Sequence, residues 1–295
     1  MSMPLITDVH LSTDGTAPTI LFPGQIVATA EHDPLISQLR RELDKGSDLG
    51  RLDLADGTRW RVQRMREGRY ALRSLRTSCP ELDTLGLPLW IKGLLLNSKM
   101  RQNGGLVLIF GLTGAGKTVT FSATIRARLL ALGGYALTLE DPPEDPLEGH
   151  HGAGYCEQLH VRELGGWENA IPVALRCFPA KDSSMLGFGE VLNDYSAAHL
   201  FRLAGDGHLV FATVHAKSIA IGLERLAAMA YAGGERKANE LLANALQLAV
   251  HQRFDHLGKL QAVALERENK VTAMISRGDY SGLGQEVEQT ALRHC

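Results

Sequence analysis

An eight-residue segment near the middle of this 295-residue chain constrains its fold more than any other feature. Residues 111–118 read Gly-Leu-Thr-Gly-Ala-Gly-Lys-Thr and match the phosphate-binding pattern G-x-x-x-x-G-K-[ST]. The five apolar residues 106–110 precede it and predict a strand that is buried on both faces. Apolar residues recur at helical spacing over 119–132 and predict a helix, which Gly133-Gly134 ends. The sequence therefore predicts a strand, a glycine loop and a helix, the context in which this pattern binds phosphate.

The predicted loop offers groups that suit the phosphates of ATP. Its glycines let consecutive backbone N–H groups turn inward, and the helix that follows points its positive end at the same anion. We expect Lys117 to reach the β- and γ-phosphates and the Thr118 hydroxyl to bind Mg²⁺. The alternative, a glycine-rich turn with a chance lysine, leaves the flanking strand and helix unexplained. The residues predicted to bind the nucleotide are Gly111, Thr113, Gly114, Ala115, Gly116, Lys117, Thr118 and Val119.

The composition is that of an ordinary globular protein. Hydrophobic residues make up 44% and charged residues 22% of the chain, and the net charge of −2 gives no support for nucleic acid as the main partner. No apolar run approaches the ~20 residues that span a bilayer, and the first residues lack the pattern of an export signal. We expect a cytoplasmic protein without a transmembrane segment. Its four dispersed cysteines are predicted to be free thiols: Cys79, Cys156, Cys177 and Cys295.

The part of the chain before the phosphate loop predicts a small α+β domain. Residues 1 to about 30 read as a loose lead-in with an edge strand at Thr19–Phe22, and residues 33–43 predict a helix that Gly46 ends. Alternating patterns with turns at Asp56-Gly57 and Glu67-Gly68 predict a three-stranded meander over 50–55, 58–63 and 69–75. We predict three regions, namely an amino-terminal domain at 1–84, a linker at 85–103 and a P-loop domain at 104–295.

Two further predicted strands end in a glutamate. Glu140 follows the apolar run 135–139, and Glu190 follows the run 183–188. Parallel strands bring their carboxyl ends to one edge of the sheet, and we expect both strands to flank the P-loop strand. We interpret Glu190 as the residue that orients the attacking water and Glu140 as part of the magnesium shell. The residues alone leave alternatives open: Glu140 in a solvated acidic loop, and an incidental Glu190 after a strand that Gly187 interrupts.

The remaining segments add one candidate and several structural predictions. His215 ends a strand predicted at 208–215 and is a candidate sensor of the γ-phosphate, although a single histidine after a strand is more often structural. Residues 220–253 read as strongly helical, with a short strand at 260–265. Four potential metal ligands crowd one predicted loop, but their spacing matches no zinc pattern and favours a polar loop: His150, His151, Cys156 and His160.

Several of these segments resemble one family, the hexameric ATPases of type II and type IV secretion systems, which include the type IV pilus motors. The segment 139–144 resembles the family's acidic box, and the pair Gly189-Glu190 with the segment 207–216 resembles its Walker B and histidine boxes. Residues 85–88 resemble the inter-domain linker, and 104–107 lead into the loop as they do in the family. Arg61 and Arg73 occur where the family keeps arginines on its amino-terminal domain. The match covers most of residues 50–280.

The chain departs from the family pattern in the Walker B region. Met185-Leu186-Gly187-Phe188 replaces a continuous run of branched apolar residues, a few extra residues occupy 179–184, and Leu192 stands where the pilus motors usually have an arginine. The carboxyl-terminal part is also short compared with that of the pilus motors. These departures concern the turnover rate and the subfamily, and they leave the nucleotide-binding residues intact.

The resemblance implies an α/β fold, a RecA-like P-loop core with a small PAS-like amino-terminal domain. It implies a homo-hexamer that hydrolyses ATP with Mg²⁺, in which the nucleotide lies between the two domains and a neighbouring subunit contributes arginines. The implied partner is the inner-membrane platform of a pilus or a secretion system, including conjugation-like systems, with no direct nucleic acid. The protein would be cytoplasmic or peripheral at the inner membrane. The implied catalytic set is Glu190, Glu140, His215, Arg61 and Arg73.

Two other functions remain open on the sequence. One is a regulatory or assembly protein of the same fold that binds nucleotide and hydrolyses it weakly, which the unusual strand before Glu190 would permit. The other is a P-loop kinase or a DNA-handling ATPase, which would explain the loop but neither of the two distal boxes. Arg61 and Arg73 also have a plain alternative as solvated arginines on alternating strands.

Overall fold

The chain forms two compact units, each built on its own sheet. In the computed structural model, residues 6–24, 26–28, 30–45, 50–100, 104–179 and 184–294 are described. The first unit comprises Met1–Ser78 with Glu144–Pro146, and the second comprises Cys79–Pro143 with Leu147–Cys295. The three regions delimited from the sequence stay a prediction. Cys295 and Gly46, for which a thiol and a helix end were predicted, lie outside the described residues.

In its described residues, the first unit is a six-stranded antiparallel sheet with one long helix. The strands follow each other across the sheet in the order β3-β2-β1-β6-β5-β4. Apolar residues of alternate positions, such as Val9, Trp60 and Leu72, pack with Leu39 of the helix on one face. Its elements are β1 (Asp8–Ser12), β2 (Ile20–Phe22), β3 (Ile26–Val27), α1 (Asp33–Asp44), β4 (Arg51–Asp53), β5 (Arg59–Arg66) and β6 (Arg69–Leu75).

The predicted helix and three-stranded meander are confirmed, but the predicted loose lead-in is wrong. Strand β1 lies inside the sheet between β2 and β6, and its Val9 and Leu11 are fully buried. Five residues with two apolar side chains are a weak signal when taken alone. The pairing that stabilises β1 is with β6, which lies some sixty residues later, and a local pattern does not reveal such a partner.

The second unit is an eight-stranded sheet with helices on both faces. The strand order is β14-β13-β7-β12-β11-β8-β10-β9, parallel from β13 to β10 and antiparallel at both edges. The elements are α2 (Leu89–Leu95), β7 (Gly105–Gly111), α3 (Lys117–Leu132), β8 (Gly134–Glu140), β9 (Gly149–His151), β10 (Gly154–His160), α4 (Trp167–Cys177), β11 (Ser184–Phe188), α5 (Asp194–Gly205), β12 (Leu209–His215), α6 (Ile219–Ala232), α7 (Ala238–Ala245), β13 (Leu246–Phe254), β14 (Leu260–Glu266), α8 (Asn269–Ser276) and α9 (Leu283–His294).

Strand β7 shows how the sheet separates two hydrophobic cores. All seven of its residues are buried. Val107 and Ile109 face the side that α2 and α3 cover, whereas Leu106, Leu108 and Phe110 face the side that α4 to α9 cover. A continuous apolar run is the pattern expected of a parallel strand that is covered on both faces. The predicted strand, loop and helix around the phosphate pattern are therefore confirmed.

The predicted helical stretch over 220–253 is partly wrong. Helices α6 and α7 occupy its first part, but residues Leu246–Phe254 form β13, which pairs in parallel with β7. A short apolar run gives the same signal for a buried strand and a buried helix. Strand pairing decides in favour of a strand, because β13 lies between β7 and β14 and hydrogen-bonds to both.

The prediction that the strands before the two glutamates flank the P-loop strand is wrong. The neighbours of β7 are β12 and β13. Strand β11, which leads to Glu190, is one place further away, and β8, which ends in Glu140, lies beyond it. The order of parallel strands in a sheet is set by crossover connections and not by their order in the sequence.

The predicted polar loop that carries histidines and a cysteine is also wrong, since these residues lie on β9 and β10. His150 pairs with Tyr155 across the two strands, so the adjacent Cys156 points to the other face, where it is buried. Burial raises the pKa of the Cys156 thiol. Among the residues that the structure describes, no group of three or more His, Cys, Asp and Glu side chains could hold a metal ion.

None of the helices in the described part of the chain combines the length and the apolarity needed to cross a bilayer.

Gly187, which interrupts the run before Glu190, makes room for the P-loop helix. A Cβ at this position would lie 2.7 Å from Phe121 Cζ and 2.8 Å from Thr138 Cγ2. We predict that Gly187→Ala lowers the free energy of unfolding by about 1–3 kcal/mol through overpacking. The control Gly93→Ala in α2, where a Cβ would meet no atom within 4 Å, should raise it by up to about 1 kcal/mol. Urea unfolding of both variants tests this, and equal stability of the two would contradict the packing argument.

Candidate nucleotide-binding site

The phosphate loop connects the end of β7 to the start of α3. Gly114 and Gly116 both have φ of +78°, which is the left-handed region that glycine adopts without strain. Gly116 is also the residue before the first turn of α3, whose unpaired N–H groups point back at the loop. The loop thus has the backbone conformation and the helix end of an anion-binding site.

Lys117 reaches across the loop from the first position of α3. The side chain is buried, and its Nζ lies 3.2 Å from the carbonyl oxygen of Leu112 and 3.1 Å from Nδ1 of His215. Thr118 and Val119 follow it in the first turn and are half-buried. The ammonium group is therefore held over the loop by contacts that it makes with groups on β12 and on the loop itself.

His215 joins Lys117 to Glu190. Its Nε2 lies 2.5 Å from Oε1 of Glu190, while its Nδ1 faces the lysine ammonium. An ammonium group can only donate hydrogen bonds, so Nδ1 must accept and the ring proton of a neutral imidazole lies on Nε2. Nε2 then faces the Glu190 carboxylate. Lys117, His215 and Glu190 form one continuous series of polar contacts, which we call the Lys117–Glu190 relay.

The segment that carries Glu190 is tied to β12. The hydroxyl of Thr213 donates to the carbonyl of Gly189, and the backbone N–H of Val191 donates to the carbonyl of Thr213 at 3.0 Å. These two bonds hold the residues on either side of Glu190. The carboxylate therefore projects from a fixed backbone toward the end of β12, where His215 lies.

Glu140 lies next to this segment and is almost completely buried. Its Oε1 accepts hydrogen bonds from the Thr138 hydroxyl at 2.7 Å and from Nε2 of Gln158 at 2.9 Å. A Cβ at Gly189 would lie 2.7 Å from Glu140 Cγ, so only glycine lets the two strands approach this closely. Glu140 is thus positioned beside the residue that precedes Glu190, at the carboxyl end of β8.

Arg61 and Arg73 lie opposite each other on β5 and β6 of the first unit. Arg61 pairs with Glu144 at 3.2 Å, and Arg73 pairs with Asp8 at 2.8 Å. Their side chains are 42% and 61% exposed, so both remain accessible to solvent. Arg51 lies opposite Arg61 on β4, and the three arginines form a transverse row on one face of the sheet.

Sequence reasoning missed two residues of functional interest. Arg51 joins the arginine row, and the hairpin at Asp56-Gly57 could have revealed it through the cross-strand register. Gln252 on β13 is buried, and its Nε2 donates a 2.6 Å hydrogen bond to the carbonyl of Ala115 in the phosphate loop. No local signal marked Gln252, because its segment had been predicted to be helical.

The sheet order, the loop and the following helix together define a RecA-like P-loop fold. The crystal structure of the pilus retraction motor PilT with bound ADP superimposes on this chain with a TM-score of 0.71 at 23% identity. The match covers 95% of this chain and 85% of the PilT chain.

The sequence assigns the family within this fold. The profile of the family described as Type II/IV secretion system protein matches residues 63–276, and the chain belongs to that family. YggR of Escherichia coli strain K12 is 28% identical over 264 residues, which are 85% of this chain and 77% of YggR. The type IV pilus ATPase PilU of Pseudomonas aeruginosa is 32% identical over 155 residues, which are 52% of this chain but only 38% of PilU.

The relay predicts the tautomer of His215. We expect the neutral ring to carry its proton on Nε2, whereas His199, whose Nδ1 faces the Tyr195 carbonyl at 3.0 Å, should carry it on Nδ1. Nitrogen-15 NMR of the two side chains distinguishes the tautomers. A proton on Nδ1 of neutral His215 would contradict the contact with Lys117.

Proposed function

We propose that this protein hydrolyses ATP to ADP and phosphate and that it works as a homo-hexameric motor of a type IV pilus or of a type II or type IV secretion system. The observation that carries the proposal is the Lys117–Glu190 relay beside the phosphate loop. In this relay one histidine contacts both a cation that suits the phosphates and a carboxylate that suits an attacking water. Membership of the family supports the same activity.

The residues of the loop suit a magnesium nucleotide. The left-handed glycines and the start of α3 supply inward N–H groups for the phosphates, and Lys117 supplies a positive charge. Thr118 and the carboxylates of Glu140 and Glu190 offer the hard oxygen ligands that Mg²⁺ prefers. Mg²⁺, when bound, neutralises the charge that develops on the phosphate oxygens. We propose that Thr118 and Glu140 serve its coordination shell.

Glu190 is the residue that we propose to orient the attacking water. Its side chain is about one-third exposed, whereas Glu140 is buried and already accepts two hydrogen bonds. A base must reach the water whose proton it accepts, which favours the more accessible carboxylate. The contact between His215 and Glu190 orients the carboxylate, and the contact between His215 and Lys117 lets the histidine respond to a phosphate that engages the lysine.

Arg61 and Arg73 are the arginines that we propose to act on the site of a neighbouring subunit. The Lys117–Glu190 relay contains no guanidinium, and an arginine that approaches the γ-phosphate stabilises the charge of the transition state. The exposed arginine row can be presented to another copy of the chain, because its side chains remain accessible. Arg51 extends the row by one strand and joins the proposal.

We base the proposed partner and location on what the relatives are named for. PilU is a type IV pilus ATPase and PilT a pilus retraction motor. We propose that this chain acts in the cytoplasm, free or at the inner membrane, on the membrane platform of such a machine. The alternative, a nucleotide-binding assembly protein with weak hydrolysis, differs in one measurable quantity, which is the rate of steady-state phosphate release.

We predict that two variants divide binding from hydrolysis. Lys117→Ala should reduce phosphate release by about 10²-fold or more, because the positive charge that would contact the phosphates is lost. Glu190→Gln should keep ATP bound and reduce turnover by about 10²–10⁴-fold. Fluorescent-nucleotide binding and phosphate release measure the two effects, with Lys92→Ala in α2 as the control. Full activity of Lys117→Ala would remove the loop from the reaction, and an inactive Glu140→Gln with an active Glu190→Gln would reverse the two glutamate roles.

We predict that activity depends on assembly and on arginines from another copy. Phosphate release per subunit should rise with protein concentration, and Arg61→Ala/Arg73→Ala should lower it by about 10³-fold or more. Mixing that variant with Glu190→Gln should restore part of the activity, since some composite sites then receive both intact parts. Arg64→Ala, on the alternate face of β5, is the control. Concentration-independent activity with no recovery on mixing would show that each subunit is complete.

A further inference from the structure

Strand β13 ends beneath the phosphate loop and contacts it at three points. The side-chain amide of Gln252, which is 1% exposed, donates a 2.6 Å hydrogen bond to the carbonyl of Ala115. A Cβ on Gly111 would lie 2.6 Å from the backbone oxygen of Gln252, and one on Gly116 would lie 3.3 Å from its Nε2. The ring of Phe254, two residues further, lies 3.6 Å from the same point on Gly116. The loop therefore rests directly on β13.

The hydrogen bond from Gln252 fixes the direction of one peptide group. In a trans peptide the C=O of one residue and the N–H of the next point in opposite directions. Since the carbonyl of Ala115 is held toward β13, the N–H of Gly116 points away from β13. Gly116 immediately precedes α3, so this N–H is one of the donors that the start of the helix offers to an anion.

A reversal of this peptide would break the hydrogen bond from Gln252. Gly116 lacks the Cβ that would oppose the rotation, and a reversed peptide would present the carbonyl oxygen of Ala115 where an N–H donor is needed. An oxygen dipole in that position repels a phosphate, whereas the N–H attracts it. The hydrogen bond from Gln252 therefore favours the orientation in which the N–H of Gly116 is offered to an anion.

The cost of burying Gln252 points to the same role. Among the described residues, its Oε1 has no hydrogen-bond partner, although the atom is inaccessible to solvent. A buried polar atom without a partner destabilises the folded state. An apolar side chain would therefore fill this position at a lower cost in free energy. What the carboxamide adds is the hydrogen bond to Ala115.

We propose that Gln252 is a positioning residue that orients the Ala115–Gly116 peptide of the phosphate loop for binding nucleotide phosphates. The proposal rests on the proposed function, since it concerns the same loop. It assigns to β13 a part in nucleotide binding beside its part in the sheet. It also explains why stability and nucleotide affinity should respond differently to the loss of the amide.

The test compares Gln252→Met with Gln247→Met, which removes an amide from the other end of β13. Gln252→Met should raise the Kd for Mg-ADP and for inorganic pyrophosphate by about tenfold, the equivalent of one hydrogen bond of about 1.4 kcal/mol. Its melting temperature without nucleotide should change little, because the substitution removes the unpaired Oε1 but also leaves the Ala115 carbonyl without its donor. Gln247→Met should leave the Kd for Mg-ADP unchanged.

Gln252→Glu is the second variant and keeps the shape of the side chain. Its carboxylate accepts where the amide donates, so the Kd for Mg-ADP should rise further than in Gln252→Met. If both variants fold and bind Mg-ADP and pyrophosphate as the wild type does, the proposal is overturned. Equal losses in melting temperature and affinity, shared by Gln247→Met, would also overturn it. Failure of the wild type to bind nucleotide would instead overturn the proposed function.

Discussion

The hydrogen-bonded pairing of β7 with β12 on one side and β13 on the other is the constraint on which the candidate site depends. In register, Gly111 lies beside His215, and Phe110 lies beside His251, the residue before Gln252. The loop therefore leaves the sheet between a histidine and a glutamine that the chain supplies from two distant segments. A shift of either strand by one residue would turn these side chains to the opposite faces of the sheet.

Close packing at glycines makes this arrangement specific. Gly187 admits the ring of Phe121 from α3, and Gly189 admits the side chain of Glu140 from β8. A Cβ at Gly222 of α6 would lie 2.4 Å from the ring of Phe110, so that helix also approaches β7 without a side chain between them. The residues that look like interruptions of apolar runs are thus the places where helices and strands approach the P-loop strand and its neighbours.

The sequence predicted the parts of the fold whose signals are local. The loop, its strand and helix, and the helix α1 were all readable from short patterns. Strands β1 and β13 were not, because their stability comes from pairing with distant partners and their apolar runs resemble other structures. The same limit hid Gln252, whose importance lies in a hydrogen bond to a residue far away in sequence. Lys117, His215 and Glu190 were predicted separately, and only the geometry shows that the His215 ring contacts the other two.

The charges of the second unit give a physical reason for a contribution from another copy. Lys117 is the cation of the relay, whereas Glu190 in the relay and Glu140 beside its segment are carboxylates. Bringing a polyphosphate to these carboxylates raises the electrostatic energy unless further positive charge arrives with it. Mg²⁺ supplies part of that charge. The arginine row formed by Arg51, Arg61 and Arg73 is suited to supply more, because guanidinium groups stay charged at any physiological pH and bind phosphate oxygens in pairs. A ring in which one copy offers the carboxylates and the next copy offers the guanidiniums would make hydrolysis conditional on assembly.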